Sequence, residues 1–167
     1  MPSLRIAHIA FAATAAIGVA QCALDYPELP ARMASHFGAS GVANGWMTKQ
    51  AFFAVYASMI ALCAQVGFLA PRRIEKSSPA RINLPNKDYW LAPERREVTF
   101  AYFRTSFAWY ACGLLLALVI TMGLAIQANF SAPPHMASGS VLTIVGAFVV
   151  CNLLWVLSLF RRFSSPR

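Results

Sequence analysis

Four long stretches of the chain contain no Asp, Glu, Lys or Arg, and each is close to the length that crosses a lipid bilayer. Because a helix rises about 1.5 Å per residue, roughly 20 apolar residues cover a hydrocarbon layer of about 30 Å. Only 12% of the residues are charged, whereas about 25% are charged in soluble domains. The sequence therefore predicts an all-α polytopic membrane protein, a single domain over residues 1–167 with four transmembrane helices. The predicted spans are 6–24, 50–70, 107–127 and 141–160. The first is longer than the apolar part of a secretory signal, so we expect it to be retained.

The basic residues are distributed unevenly between the two predicted membrane faces. Of the fourteen Lys and Arg residues, only Arg32 and Lys49 fall on one face. Because Lys and Arg in short loops resist translocation, both termini and the loop 71–106 are predicted to be cytoplasmic, with the loop 25–49 outside. The net charge of +8 then reflects topology, and it indicates the lipid bilayer rather than nucleic acid as a partner. The basic residues on the cytoplasmic face are Arg5, Arg72, Arg73, Lys76, Arg81, Lys87, Arg95, Arg96, Arg104, Arg161, Arg162 and Arg167.

Small residues recur in the first and fourth runs at spacings that let helices approach closely. Helices in lipid associate through such faces and through occasional polar contacts. The two faces predict either contacts within a four-helix bundle or contacts with a neighbouring protein, and both remain open. The first face is Ala12, Ala16 and Ala20, and the second is Gly139, Thr143, Gly146 and Asn152. The cysteines lie in four different runs without a CxxC pair, so they are predicted to be packing residues rather than disulfides. They are Cys22, Cys63, Cys112 and Cys151.

The connection over residues 25–49 differs from its surroundings because it concentrates proline, glycine and aromatic residues. Pro27 and Pro30 fix φ and lack an N–H donor, so the chain is predicted to leave the first span in an extended or turning path. Apolar residues then recur at four-residue spacing, which predicts a short amphipathic helix on the membrane surface. These residues are Leu29, Met33 and Phe37.

The second half of this connection contains residues that favour tight turns and a membrane interface. Gly38, Gly41 and Gly45 permit backbone conformations closed to other residues. His36 is expected to hydrogen-bond the backbone of the loop and so to fix its turn. Trp46 is expected at head-group level, where indoles are enriched. Thr48 is predicted to cap the second span.

The order of these residues resembles a known family. The pattern is Leu29-Pro30, Met33, His36-Phe37, Gly41 and Asn44-Gly45-Trp46, placed between a first and a second span. It resembles the bacterial membrane domain of unknown function found in Sdp-type immunity proteins, whose typical wording is LP, then I/V-x-x-HF, then G, then D/N-G-W. The resemblance implies a module of the bacterial inner membrane with no established reaction, some of whose relatives act in toxin immunity or signalling. The residues that it marks as a structural motif or partner-binding site are Pro30, His36, Phe37, Gly41, Gly45 and Trp46.

Residues 83–96 also look like the cytoplasmic segment of uncharacterised members of that family. Two prolines and turn-forming residues in this segment predict an ordered loop, and Pro93 followed by acidic residues predicts the start of a helix. Tyr89, Trp90 and Leu91 are expected to dip into the membrane interface. Two interpretations stay open: a structural re-entrant loop, or a docking surface for a partner. The docking surface would consist of Asp88, Tyr89, Trp90 and Arg95.

No set of residues in the sequence predicts catalysis. The six acidic residues all lie outside the four runs, and a nucleophile paired with a base is lacking. His36 and His135 are predicted on the same face, where they could meet, whereas His8 lies near the opposite face. Even with Asp25 or Glu28 added, the outer pair supplies at most two or three ligands. We therefore predict no enzyme, no cofactor and no metal, with His8, His36 and His135 as weak candidates for a metal or pigment site.

The leading functional hypothesis is a non-enzymatic accessory or scaffolding subunit. It would pack against other integral membrane proteins, or against itself, in the bacterial inner membrane. A toxin-immunity or envelope-signalling protein is the first alternative, and a single-histidine metal or pigment binder is the second.

Overall fold

The computed structural model describes residues 2–166, apart from the side chains at positions 2, 138 and 141. Met1 and Arg167, the last of the predicted cytoplasmic basic residues, lie outside the described residues. In the described part, four helical segments are long and apolar enough to cross a membrane, which is the composition of a multi-pass membrane protein. They coincide with the four predicted runs. The segments are Ser3–Glu28, Lys49–Lys76, Pro93–Ala128 and Leu142–Phe163.

The chain contains six α-helices and two strands within the described residues. In order they are α1 (Pro2–Asp25), β1 (Arg32–Phe37), β2 (Ala43–Thr48), α2 (Lys49–Ala64), α3 (Ala70–Lys76), α4 (Lys87–Trp90), α5 (Pro93–Ala128) and α6 (Ser138–Phe163). A π-helical turn, Gln65–Leu69, joins α2 to α3. Pro71 follows this turn and has no N–H to donate to the carbonyl of Gly67, so the wider turn lies where the regular ladder is interrupted. The predicted helix start at Pro93 is confirmed.

Helix α5 is the centre of the fold. Helices α1 and α2 pack along it through a shared apolar cluster, whereas α6 contacts mainly α5. In the 18-residue apolar window of α6, 0% of the residues are buried. The architecture is therefore a three-helix core with a fourth helix on its side. The buried members of the shared cluster are Phe11, Tyr56, Cys63, Ala111, Leu115 and Val119.

The small-residue faces predicted from the sequence lie on the exterior of this arrangement. Ala12, Ala16 and Ala20 are exposed on α1, and the face that meets α5 carries Ala7 and Phe11 instead. The bundle-forming version of that prediction is therefore wrong for the face on α1. On α6 the residues Gly139, Thr143 and Gly146 are exposed too, and Asn152 alone of that face reaches α5. All four cysteines are free thiols.

Close approach of the π-helical turn to α5 depends on Gly67. A Cβ placed on Gly67 would lie 2.6 Å from the Cβ of Ala111, which is too close for two carbon atoms. We expect Gly67→Ala to force the two helices apart and to lower the free energy of unfolding by about 1–3 kcal/mol. Thermal unfolding in detergent measures this change. Gly113→Ala is the matched control on α5, because no described atom lies within 4 Å of a Cβ there. Equal loss of stability in both variants would contradict the assignment.

The two ends of the helices differ in character. At one end, Leu4 and His8 of α1 line a small cavity together with Arg72 and Arg104. Phe163, the last residue of α6, packs at the same end against Trp90. Both ends of the described chain therefore lie beside the segment 71–106, which carries most of the basic residues, and we call this the basic end. The opposite end carries β1, β2 and residues 129–137, and we call it the hairpin end.

The two strands form an antiparallel hairpin where a short amphipathic helix was predicted. The helix prediction from Leu29, Met33 and Phe37 is therefore wrong over Arg32–Phe37. Residues four apart lie on the same face of a strand as well as of a helix, since side chains alternate with a period of two. Leu29, which precedes the strand in extended backbone, buries its side chain in the same cluster. The spacing thus identified the buried residues correctly and assigned them to the wrong element.

Candidate functional site

The inner face of the hairpin closes the hairpin end of the helices. Met33 is fully buried, and Phe37 and Met47 pack against the same cluster. The hairpin thereby shields the ends of α2 and α5 from the surroundings. The buried members of this cluster are Leu29, Met33, Phe52, Ala125, Ile126, Ala128 and Met136.

Asn129, at the end of α5, holds strand β1 in place. The residue is only 5% exposed, and both polar atoms of its side chain form hydrogen bonds. The Oδ1 atom accepts from the Ala34 N–H at 2.7 Å, and the Nδ2 group donates to the Ala34 carbonyl at 2.9 Å. The Nδ2 group also donates to the Ala125 carbonyl at 2.8 Å. The carboxamide therefore satisfies both backbone groups of Ala34, as a neighbouring strand would.

The tip of the hairpin is held by the segment that precedes α6. The Met136 N–H donates to the Gly41 carbonyl at 2.9 Å, and Val42 pairs with His135 as an isolated bridge. Gly41 has a φ of +81°, in the left-handed region that favours glycine. A Cβ there would lie 1.8 Å from the Met136 carbonyl oxygen. Glycine at position 41 therefore allows both the left-handed turn and the close contact with Met136.

The base of the hairpin is held by the first residue of α2. The Lys49 ammonium donates to the carbonyls of Tyr26 and Leu29, both at 2.9 Å, and lies 4.5 Å from the centre of the Tyr26 ring. The predicted cap is confirmed, because the Thr48 hydroxyl accepts from the Ala51 N–H at 3.2 Å. Pro30 is exposed in the extended segment between these contacts.

The outer face of the hairpin combines a cation, an indole and an imidazole. The Arg32 guanidinium lies 5.5 Å from the Trp46 ring, and Trp46 is 43% exposed. The Nδ1–H of His36 donates to the Asn44 side-chain oxygen, so the predicted bond from His36 to the loop backbone is wrong. Gly45 lies opposite His36, and a Cβ at Gly45 would lie 2.8 Å from the His36 Cβ.

Each of the three histidines contacts a different residue. His36 bonds Asn44, whereas the His135 Nε2 lies 3.2 Å from the Ser40 carbonyl oxygen. His8 lies at the basic end, with its ring centre 4.9 Å from that of Phe68. Within residues 2–166 no group of three or more His, Cys, Asp and Glu side chains is placed to hold a metal ion.

The loop at the basic end is folded against the end of α6. Trp90 is 6% exposed, and its indole N–H donates to the Phe163 carbonyl at 3.0 Å. The Asn86 amide donates to the same carbonyl and to that of Ser164, both at 3.0 Å. These donors satisfy carbonyls that a helix C-terminus leaves free. The loop therefore caps α6.

The residues of the predicted docking surface in this loop do not form one exposed surface, because some of them are buried. Trp90 and Leu91 are buried inside the protein, so the prediction that they dip into the membrane interface is wrong. Tyr89 is partly buried between Trp90 and the Arg95 guanidinium, which lies 4.0 Å from its ring centre. Asp88 is exposed. The contacts favour the structural interpretation of the loop.

A groove between α5 and α6 was not predicted from the sequence. It encloses about 420 Å³. At its polar end Tyr110 donates to the Asn152 side chain, the Trp155 indole donates to the Ser106 hydroxyl at 3.1 Å, and the Tyr110 and Trp155 rings stack at 4.0 Å. The remaining walls are apolar and partly made of small residues. The small wall residues are Gly113, Ala117, Ala147 and Cys151.

The sequence held only an indirect signal for this groove. The small and polar face predicted on the fourth run indicated that close approach is possible there, and of its residues only Asn152 lines the groove. The structure leaves the groove empty of protein, and the contacts of α6 with α5 lie closer to the basic end, at Asn152, Trp155 and Phe163. The angle at which two helices diverge depends on contacts at their ends, and those contacts join residues far apart in the chain.

The comparison with known families matches the hairpin and its flanking helices. A family described as "Domain of unknown function (DUF1648)" matches residues 10–60. These residues cover the second part of α1, the whole hairpin and most of α2, and they include the motif residues Pro30, His36, Gly41 and Trp46. The chain therefore contains a segment similar to a family of unknown function. Neither the curated proteins nor the solved structures gave a match.

Proposed function

We propose that the protein is a non-enzymatic subunit of the bacterial cytoplasmic membrane that packs against other integral membrane proteins. The observation that supports this role is the groove between α5 and α6, where α6 is unburied along its apolar window. In the proposed orientation the basic end faces the cytoplasm, because Lys and Arg in short loops resist translocation. The hairpin then caps the opposite face.

The walls of the groove suit a transmembrane helix. Gly113 lines the groove and has no described atom within 4 Å of the position that a Cβ would take. Helices in lipid associate where small residues let their backbones come close. The exposed alanines of α1, Ala12, Ala16 and Ala20, offer a second surface of the same kind. Two exterior faces of small residues support a role in packing against neighbours.

Cys151 allows the groove to be tested in the native membrane. This thiol is exposed and lines the groove. We expect a membrane-permeant benzophenone-maleimide, attached to the Cys151 thiol and then irradiated to insert into a C–H bond of a neighbouring polypeptide, to give an adduct of higher mass on a denaturing gel. Cys151→Ser should lose that adduct, whereas Cys63→Ser should keep it, because Cys63 is buried.

A variant that fills the groove shows whether the neighbouring polypeptide binds in the groove or is crosslinked by random collision. Gly113 lines the groove, and no described atom lies within 4 Å of the position that a Cβ would take there, so we expect Gly113→Phe to fold, to fill part of the groove and to lose most of the Cys151 adduct. Purification in mild detergent is the second measurement. A protein that is strictly monomeric, without a co-purifying partner and without a Cys151 adduct, would refute the proposal.

A role in toxin immunity or envelope signalling is the second candidate. It is supported by the family match, which overlaps the LP…HF…G…NGW motif, and by an exposed hairpin face with Arg32, His36 and Trp46. A signalling protein needs a surface on each side of the membrane, and the exposed face and the basic loop lie at opposite ends of the helices. Deletion of the gene is the test. Unchanged toxin sensitivity together with unchanged expression of neighbouring genes would rule this role out.

A further inference from the structure

A second cavity opens at the basic end, where the loop 77–85 meets α5 and α6. It encloses about 390 Å³ and is separate from the groove described above. Its floor is apolar and includes Phe103 and Phe107 of α5 and Val156 and Phe160 of α6. Val156 and Phe160 are both more than half exposed, so the floor continues onto the outer surface of two membrane-spanning helices.

The mouth of the cavity carries an uncompensated positive charge. Arg81 lines the cavity and is exposed, and within residues 2–166 its side chain has no ion pair, hydrogen bond or aromatic partner. Asn83, also exposed at the mouth, adds an amide donor. The cavity residues include no Asp or Glu among the described part of the chain.

Three other arginines at the basic end have partners within the protein. Arg104 pairs with Glu75 at 2.8 Å and with Glu97 at 2.7 Å. The Arg96 guanidinium donates to the Glu75 carbonyl at 2.8 Å, and that of Arg162 lies 5.1 Å from the Trp90 ring centre. These contacts engage the guanidinium groups within the protein. The guanidinium group of Arg81 is free to bind an anion.

We propose that this cavity binds an anionic phospholipid. The Arg81 guanidinium would bind the phosphate, since its donors match two phosphate oxygens at once, and Asn83 would donate a further hydrogen bond. One acyl chain would lie on the floor formed by Phe107, Val156 and Phe160. A cation beside an apolar surface at the end of membrane-spanning helices complements both parts of such a lipid.

Other anions complement only part of this site. Inorganic phosphate would use Arg81 and leave the apolar floor uncovered. An acidic peptide would meet a floor that opens along α5 and α6, where a membrane-spanning protein meets acyl chains. A phospholipid satisfies the charge and the apolar surface together, because its phosphate and its acyl chains are joined at the depth where the helices end.

Native mass spectrometry tests the proposal directly. The full chain is reconstituted in vesicles of equal parts phosphatidylglycerol and phosphatidylcholine, extracted in mild detergent, and weighed with its bound lipids. We expect phosphatidylglycerol to be retained in preference to phosphatidylcholine, because the choline cation of phosphatidylcholine offsets the phosphate charge that Arg81 would bind. Arg81→Gln should lower this preference about fivefold. Lys76→Gln removes the same charge from an exposed position outside the cavity and should leave the preference unchanged.

Two further measurements distinguish a bound phospholipid from a free anion. Val156→Trp fills the floor without changing charge, and we expect it to reduce retention of both lipids. Excess inorganic phosphate should leave bound phosphatidylglycerol in place, and displacement by phosphate would overturn the lipid assignment. Equal effects of Arg81→Gln and Lys76→Gln, or equal retention of the two lipids by the unaltered protein, would overturn it as well. Arg81 and Val156 are exposed, so both variants are expected to fold.

Discussion

Alanine in place of Gly41 is expected to lower the free energy of unfolding by about 3–5 kcal/mol, because three penalties act together. The backbone at φ +81° is strained for any residue with a Cβ. The added atom would lie 1.8 Å from the Met136 carbonyl oxygen, so the hairpin tip must leave the segment before α6. That movement also breaks the 2.9 Å bond from the Met136 N–H to the Gly41 carbonyl.

Thermal or denaturant unfolding in detergent measures this loss, and Gly38→Ala is the matched control. Gly38 lies in the same turn, but a Cβ there would be 3.5 Å or more from its nearest neighbour. Gly38 also does not adopt a positive φ. We expect Gly38→Ala to change stability by about 0.5 kcal/mol at most. If the two variants unfold alike, the tip contact does not contribute as the structure indicates.

The spans were predictable from the sequence because their signal is local. Apolar runs without charge must be helical in lipid, since a helix satisfies its own backbone groups. The start of α5 at Pro93 and the cap at Thr48 were predictable for the same reason: each depends on neighbours within one helical turn. The helices and their capping residues required no knowledge of the rest of the chain.

The hairpin was not predictable from the same kind of signal. Met33 and Phe37 are four residues apart, and this spacing fits one face of a helix or of a strand. The choice between them depends on partners distant in the chain: β2, and Asn129, which is 95 residues from Ala34. The sequence therefore identified the segment and its buried residues but could not determine the element.

The candidate surfaces also combine features that were predictable from local sequence with features that depend on distant residues. Small residues on α1 were recognised, but their outward position depends on which face of α1 carries Ala7 and Phe11 towards α5. The two cavities depend on how α6 is fixed to the rest of the protein. Trp90 and Asn86 hold its end at Phe163, and this contact spans more than 70 residues of sequence. Such positions follow from tertiary packing and leave no periodic pattern.

Loss of the Asn129 carboxamide is expected to destabilise the protein nearly as strongly as the change at Gly41. Asn129→Leu keeps the side-chain volume similar but leaves the buried N–H and carbonyl of Ala34 without their partner. Each buried polar group left unsatisfied costs about 1–3 kcal/mol, so the free energy of unfolding should fall by roughly 3–5 kcal/mol. Unfolding in detergent measures the change. Gln127→Leu, at an exposed position in the last turn of α5, is the control and should stay within about 0.5 kcal/mol of the unaltered protein.

A double variant shows whether Asn129 and Gly41 act on one docking event. Asn129 holds strand β1, and Gly41 holds the hairpin tip to residues 135–136. If the hairpin docks as a unit, the first substitution already releases it, and the second then removes contacts that are no longer made. We therefore expect the combined loss in Asn129→Leu with Gly41→Ala to fall short of the sum by about 1–3 kcal/mol. Strictly additive losses would instead mean that strand β1 and the tip of the hairpin dock independently of each other.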